Sequence, residues 1–136
     1  MAAPKPIFIV VTQKAHGDCA VAALACLLQV PYEEVLVVAA QIVPLVLGRG
    51  LDGDEMVKIA RRFGRVLEER EGSEIDYKHA TGILGARLKH NSEGEEHAVV
   101  LSRGLVFDPE DGKVWAVRDY LRAYQARDVD LLELEG

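Results

Sequence analysis

Cysteine is scarce in this sequence, and the two cysteines are too far apart for a disulfide. Cys19 and Cys26 fall in one run with a strongly helical pattern, where their spacing corresponds to about 10 Å along the axis. That separation exceeds disulfide reach and also prevents both sulfurs from binding one zinc ion at about 2.3 Å. We therefore expect two reduced thiols, no zinc site built from His16, Cys19, Cys26 and His97, and no other metal or cofactor.

Long hydrophobic runs are also missing. The longest run, residues 35–47, contains Gln41 and Pro44 and is too short to span a bilayer. The N-terminal residues lead into a short apolar stretch, Ile7 to Val11, without the small-residue cleavage pattern of a secretory signal. From these absences we expect a cytoplasmic protein that does not enter a membrane.

Positive charge is not in excess. Sixteen Lys and Arg against 22 Asp and Glu give a net charge of −6, which argues against general binding of nucleic acids or anionic membranes. One basic group falls at helical spacing: Lys58, Arg61, Arg62 and Arg65. We interpret it as a solvent-exposed helix face rather than a phosphate or nucleic-acid patch, because the rest of the chain offers no matching basic surface.

Length and composition are those of one ordinary globular domain. A chain of 136 residues is long enough to bury about two-thirds of the surface that its unfolded form exposes. The sequence is 49% hydrophobic and 28% charged, without low-complexity segments or repeats. We therefore expect a single domain over residues 1–136.

Hydrophobic periodicity predicts helices first and strands second. Residues 7–11 read as a strand or extended entry. Asp18 is a suitable N-cap for the first helix, and Asp52 with Glu55 matches a capping box. The predicted helices cover residues 19–29, 32–41, 53–63 and 118–127. The predicted strands cover residues 65–69, 83–89, 97–101, 105–108 and 113–117, with 129–135 as a possible edge strand. This order favours an α+β fold with an antiparallel sheet.

One short stretch has the pattern of a catalytic thiol. Cys19 opens a run rich in Ala and Leu, so we expect its thiol at a helix N-terminus. The unpaired N–H groups and the positive dipole end of a helix favour a thiolate there. The same N–H groups, joined by the side-chain amide of Gln13 from the preceding loop, can stabilise the negative oxygen that forms when a carbonyl is attacked.

A base and an orienting carboxylate are predicted on a β-hairpin downstream. Ser102 to Gly104 fits a type I turn with a glycine bulge between two strands. If the turn centres on Ser102 and Arg103, His97 lies opposite Asp108. Opposite residues of an antiparallel pair have Cβ atoms about 5 Å apart, so the carboxylate can hold one imidazole nitrogen and aim the other at a thiol.

With these residues in place, the chain resembles the papain-like cysteine peptidases. The closest branch removes double-glycine leader peptides from bacteriocins and related peptides, usually as a domain fused to an ABC transporter. The matching residues run through nearly the whole chain: Gln13, Asp18-Cys19, residues 30–35, Gly50-Leu51, residues 60–64, residues 97–101 and Asp108-Pro109. Ala20 stands where the family often has glycine after the cysteine.

The resemblance implies a papain-like fold and a role for each matching residue. It implies Cys19 as the nucleophile, His97 as the general base and acid, Asp108 as the residue that orients His97, and Gln13 as the oxyanion donor. Transporter segments are absent from this sequence, so we expect a stand-alone domain. The leader-peptide substrate is not carried over.

Several residues also have a structural interpretation. Cys19 taken alone would more often be a buried structural cysteine, and its combination with Gln13, His97 and Asp108 favours catalysis. Cys26 continues the apolar helix face, so we expect it in the core.

The other histidines are weaker candidates. We expect His16 and His79 to be loop residues. His90 is the competing base, because it ends the strand before the polar turn, but no acidic residue is placed opposite it.

Three classes of function remain open from the sequence. The first is a peptidase or isopeptidase that works through an acyl-enzyme. The second is an acyltransferase or transglutaminase-like enzyme with the same residues, and the third is a non-catalytic papain-like binding module. For an enzyme, we expect a peptide or protein substrate in an extended conformation. Residues 42–51 either wall the cleft or cover the core.

Overall fold

The protein is described here by a computed structural model, which covers residues 18–46, 50–89 and 96–135. The helices are α1 (Cys19–Leu28), α2 (Tyr32–Ile42), α3 (Gly53–Arg62) and α4 (Val117–Ala123), with a short 3₁₀ helix at Gly72–Glu74. The strands are β1 (Leu67–Glu71), β2 (Thr81–Arg87), β3 (Glu96–Ser102), β4 (Leu105–Phe107), β5 (Val114–Ala116) and β6 (Arg127–Leu134). The predicted α+β fold is confirmed. The strand predicted for residues 7–11 lies outside the described residues.

Helix α1 forms the centre of the core. Every residue from Ala20 to Leu28 is buried, as expected of a helix that is apolar on all sides. The helix packs against β3 and α2, and its alanines allow the backbones to approach closely. Cys19, at its first position, is therefore held at a fixed distance from the sheet.

Helix α3 begins and ends as its sequence predicts. The Glu55 backbone N–H donates to Asp52 Oδ1 at 2.8 Å, and the Asp52 N–H donates to Glu55 Oε1 at 2.9 Å, which completes the capping box. Met56, Ile59 and Ala60 form its buried face. Of the predicted basic face, Lys58, Arg61 and Arg62 are exposed on the helix, whereas Arg65 follows the helix and is half-buried. Among the described residues, every helix is too short or too polar to cross a membrane.

The six strands form one sheet in the order β1-β6-β2-β3-β4-β5, with antiparallel pairs throughout. The prediction of an edge strand at residues 129–135 was wrong. Strand β6 pairs with β1 on one side and β2 on the other, and Leu131 and Leu132 are both buried. Adjacent leucines point to opposite faces of a strand, so β6 is covered on both sides, as an interior strand requires.

The predicted hairpin register was also wrong. In the β3–β4 hairpin Ser102 pairs with Leu105, and Val100 pairs with Phe107. Arg103 and Gly104 both have positive φ, at 48° and 83°, so the turn is a tight two-residue connection rather than a type I turn with a bulge. Asp108 consequently lies beyond the strand pairing and diagonal to His97 instead of opposite it. Diagonal neighbours remain within reach of long side chains.

Candidate active site

Cys19 is held at the start of α1, half-buried, on the wall of a cavity. Asp18 precedes it at the N-cap position but makes no side-chain capping bond. Its fully buried carboxylate instead accepts a hydrogen bond of 2.6 Å from the Tyr32 hydroxyl. A buried hydroxyl needs a hydrogen-bond partner. This hydrogen bond links Tyr32, the first residue of α2, to Asp18, the residue before Cys19.

His97 and Asp108 are in direct contact. His97 is buried on β3, and its Nε2 lies 2.8 Å from Oδ1 of Asp108. Asp108 follows β4, and the same oxygen accepts a hydrogen bond of 2.9 Å from the backbone N–H of Glu110. The Glu110 carboxylate lies 3.7 Å from His97 Nε2. A buried carboxylate therefore holds one nitrogen of the imidazole ring.

The electrostatics of the contact favour a charged imidazole. Burial lowers the pKa of His97, but hydrogen bonds to Asp108 and to Cys19 outweigh burial and raise this pKa to about 10. Burial raises the pKa of Asp108, but the hydrogen bond and charge of His97 outweigh it and hold this pKa below its ordinary value. The imidazole and the carboxylate thus stabilise each other's ionised form.

The structure brings Cys19, His97 and Asp108 together. Asp108 is bonded to Nε2 of the imidazole, and the Cys19 side chain also interacts with the ring. The three residues come from a helix start, an interior strand and the turn after β4. Packing of α1 against β3 is what joins the thiol to the hairpin.

A cavity of about 730 Å³ opens beside the thiol and the imidazole. Part of its lining is apolar: Leu51, Met56, Val57, Ile83, Ala98 and Leu132. Its acidic lining residues are Asp52, Asp54, Glu69, Glu96 and Asp130. The described residues that line it include no lysine or arginine. The described lining therefore carries an excess of acidic groups.

Gly85 on β2 makes room for two of these carboxylates. A Cβ atom at this position would lie 2.6 Å from Asp130 Oδ1 and 3.4 Å from Glu96 Oε2. The carboxylates of Asp130 and Glu96 therefore both lie close to the Gly85 backbone in the cavity wall. Burial, followed by the charges of Glu96 and Glu69, raises the pKa of Asp130 to about 6.

The other predicted residues fall in three places. Gln13, His16 and His90 lie outside the described residues. Cys26 is 2% exposed and belongs to the core. His79 is exposed on a turn, where it contacts Asp76 at 3.1 Å.

The segment predicted as either cleft wall or core cover contributes to both. Gly50 and Leu51 line the cavity. Val43 and Val46 are buried in the core cluster. Both alternatives therefore hold, for different residues of the segment.

Tyr120 is a site residue that sequence reasoning missed. It lies on α4 and is 1% exposed, and its hydroxyl donates to Asp108 Oδ2 at 3.2 Å. The helical pattern of residues 118–127 could have predicted a buried side chain at this position. It could not have predicted which carboxylate the hydroxyl would meet.

A metal site is not needed to explain this cluster. Ligand atoms of His97, Asp108 and Glu110 lie within 4.8 Å of one another, but direct hydrogen bonds already account for this approach.

Comparison with known proteins identifies the fold. No protein-family model matches the chain, and no curated protein matches it. A solved structure does match: the double glycine motif protease from an AMS/PCAT transporter, in complex with the leader peptide. The TM-score is 0.67 at 21% sequence identity, and the match covers 95% of this chain and 92% of the protease chain. The predicted resemblance is confirmed: this chain has the papain-like fold of double-glycine proteases.

Proposed function

We propose that this protein is a cysteine peptidase that hydrolyses a peptide or isopeptide bond through Cys19, His97 and Asp108. The observation that carries the proposal is that the His97 imidazole interacts with both the Cys19 side chain and the Asp108 carboxylate, beside a cavity. A cysteine with only a structural role would not require a neighbouring imidazole that is itself bonded to a buried carboxylate. The fold shared with a protease supports the same reaction class.

The first half of the reaction forms a thioester. The Cys19 sulfur, as a thiolate paired with the His97 imidazolium, attacks the carbonyl carbon of the scissile bond. The carbonyl oxygen becomes negative and accepts hydrogen bonds from the Cys19 backbone N–H and, we propose, from the Gln13 amide. His97 then donates its proton to the leaving amine, and the C–N bond breaks.

The second half restores the enzyme. Neutral His97 removes a proton from a water molecule, and the resulting hydroxide attacks the thioester carbon. The C–S bond breaks, the acid product leaves and Cys19 returns as the thiolate beside a protonated His97. Asp108 stabilises the imidazolium in both halves and keeps the ring aimed at the sulfur.

An extended peptide is the substrate that fits this site. The related protease is in complex with a leader peptide, and an open cavity beside Cys19 can receive a chain whose carbonyl is not tied into a folded core. We propose that the enzyme acts in the cytoplasm, where its free thiols stay reduced.

The reactivity of Cys19 tests the proposal. We expect iodoacetamide at about pH 6 to modify Cys19 at least about ten-fold faster than a small free thiol, which is mostly protonated at that pH. Cys26, at 2% exposure, should stay unmodified in the folded protein. Peptide mapping after a time course measures both rates.

The comparison with a small thiol separates activation from exposure. A merely accessible Cys19 would react no faster than the small thiol. Equal rates for Cys19 and that thiol, or for Cys19 and Cys26 in folded protein, would contradict the proposed nucleophile.

The charge of the cavity predicts a preference among peptides. With five acidic residues and neither lysine nor arginine among the described lining residues, peptides with lysine or arginine near the scissile bond should be cleaved faster than acidic ones at low salt. The difference should shrink at high ionic strength. It should also shrink below about pH 6, because Asp130, with a pKa of about 6, is then protonated and neutral.

A matched pair of variants isolates this effect. Asp130→Asn removes one charge from the cavity, so the ratio of kcat/KM for basic over acidic peptides should fall. Asp128→Asn removes a charge from the same strand outside the lining, and asparagine tolerates the positive φ of 51° found there. Equal ratios in the two variants would exclude a role for the charge of Asp130.

A further inference from the structure

The Asp108 carboxylate is buried, with 1% exposure, and both of its oxygens accept hydrogen bonds. Oδ1 accepts hydrogen bonds from His97 Nε2 at 2.8 Å and from the Glu110 N–H at 2.9 Å. Oδ2 accepts one from the Tyr120 hydroxyl at 3.2 Å. One oxygen therefore faces the imidazole, and a tyrosine holds the other.

Tyr120 is itself rigidly placed. Its ring is 4.9 Å from that of Tyr124 and 6.1 Å from that of Trp115, centre to centre, and it is among the largest fully buried side chains. Burial and the negative charge of Asp108 raise the pKa of Tyr120. The hydroxyl thus keeps its proton and remains a donor.

We propose, on the basis of the thiol chemistry proposed above, that Tyr120 is a positioning residue that fixes the rotation of the Asp108 carboxylate. A carboxylate held at one oxygen only can turn about its Cβ–Cγ bond. With Oδ2 anchored to a rigid aromatic cluster, Oδ1 stays directed at His97 Nε2, and the imidazole stays aimed at Cys19. Tyr120 acts through Asp108 and does not touch the substrate.

The hydroxyl also stabilises the charge that His97 needs. A buried carboxylate oxygen that loses its donor carries a desolvation cost, so Asp108 would take up a proton at higher pH without Tyr120. Among the described residues, the titratable groups that face Asp108 are His97 on β3, Glu110 in the turn, and Tyr120 and Tyr124 at α4 and its end. Removal of the Tyr120 hydroxyl leaves the other three in place.

Tyr120→Phe tests the proposal, with Tyr124→Phe as the matched control from the same aromatic cluster. We expect Tyr120→Phe to lower kcat about ten-fold with little change in KM, as for lost support of a charged group. In a plot of the Cys19 alkylation rate against pH, the acid limb should shift to higher pH by about one unit, because Asp108 becomes protonated at higher pH in the variant. Tyr124→Phe leaves the hydroxyl bond to Asp108 in place, so its pH profile should match that of the wild type.

A purely structural role for Tyr120 would lower the melting temperature without moving the pH profile. A double-mutant cycle with Asp108→Asn adds a second readout: in that background Tyr120→Phe should have no further effect on kcat. An unshifted acid limb in folded Tyr120→Phe, or full additivity with Asp108→Asn, would overturn the positioning role. Slow alkylation of Cys19 in the wild type would instead overturn the proposed peptidase itself.

Discussion

Replacing His97 with alanine will lower peptide turnover by about 10²–10⁴-fold, the range that a general acid and base contributes. It will also slow alkylation of Cys19 near neutral pH, because the imidazolium that stabilises the thiolate is gone. Both effects follow from the contacts of His97 with Asp108 and Cys19. Initial rates of cleavage and iodoacetamide labelling measure them on the same preparations.

Two histidines serve as controls for this result. His79 is exposed and paired with Asp76 on a turn, so His79→Ala should leave both rates nearly unchanged. His90→Ala should also leave both rates nearly unchanged, although the sequence offers His90 as an alternative base. Loss of activity in His90→Ala with full activity in His97→Ala would move the site to His90.

A size-conserving variant distinguishes lost chemistry from lost packing. His97 is 7% exposed, and alanine leaves a void there. His97→Gln fills more of that space without acting as a base at neutral pH. We therefore expect similar losses of turnover in both variants, with a melting temperature closer to that of the wild type for His97→Gln.

Local sequence signals predicted the helix starts closely, whereas α4 ends at Ala123 and its predicted range extended to residue 127. The capping box of Asp52 and Glu55 needs only residues three apart, and both of its hydrogen bonds form. Helix α1 likewise begins at Cys19. Asp18 shows the limit of local rules: its carboxylate bonds to Tyr32, fourteen positions along the chain, instead of capping its own helix.

Sheet order could not be predicted in the same way. Residues 127–134 have polar and apolar positions compatible with an edge strand, yet β6 lies between β1 and β2. Which strands flank β6 depends on contacts across the whole chain, and no local pattern encodes them. The hairpin register failed for a related reason, because Arg103 adopts a positive φ that a non-glycine residue rarely takes.

The predicted contact between His97 and Asp108 is nevertheless present. His97 and Asp108 meet although their strand register differs from the prediction, because a diagonal pair still permits a side-chain hydrogen bond. Tyr120 was not predicted as a site residue, because only its hydrogen bond to Asp108, between α4 and the turn after β4, connects it to the site. Periodicity predicts that a side chain is buried but not what it contacts.

The fate of the acyl group decides between the two enzymatic alternatives. After thioester formation, water gives an acid product, whereas an added amine gives a new amide. Both outcomes require Cys19, so the products rather than the variant distinguish hydrolysis from acyl transfer. The cavity beside Cys19 is open to either acceptor, and we expect water to prevail.

Mass spectrometry of an unbiased peptide library tests most directly whether Cys19 is the nucleophile of a peptidase. The library is incubated under reducing conditions with the wild type and with Cys19→Ala, both shown to be folded by their melting curves. We predict new peptide termini with the wild type, an acyl adduct mapped to Cys19 in quenched samples, and no cleavage with Cys19→Ala. Cleavage that persists in Cys19→Ala, or a wild type that yields neither fragments nor adduct, would contradict the claim.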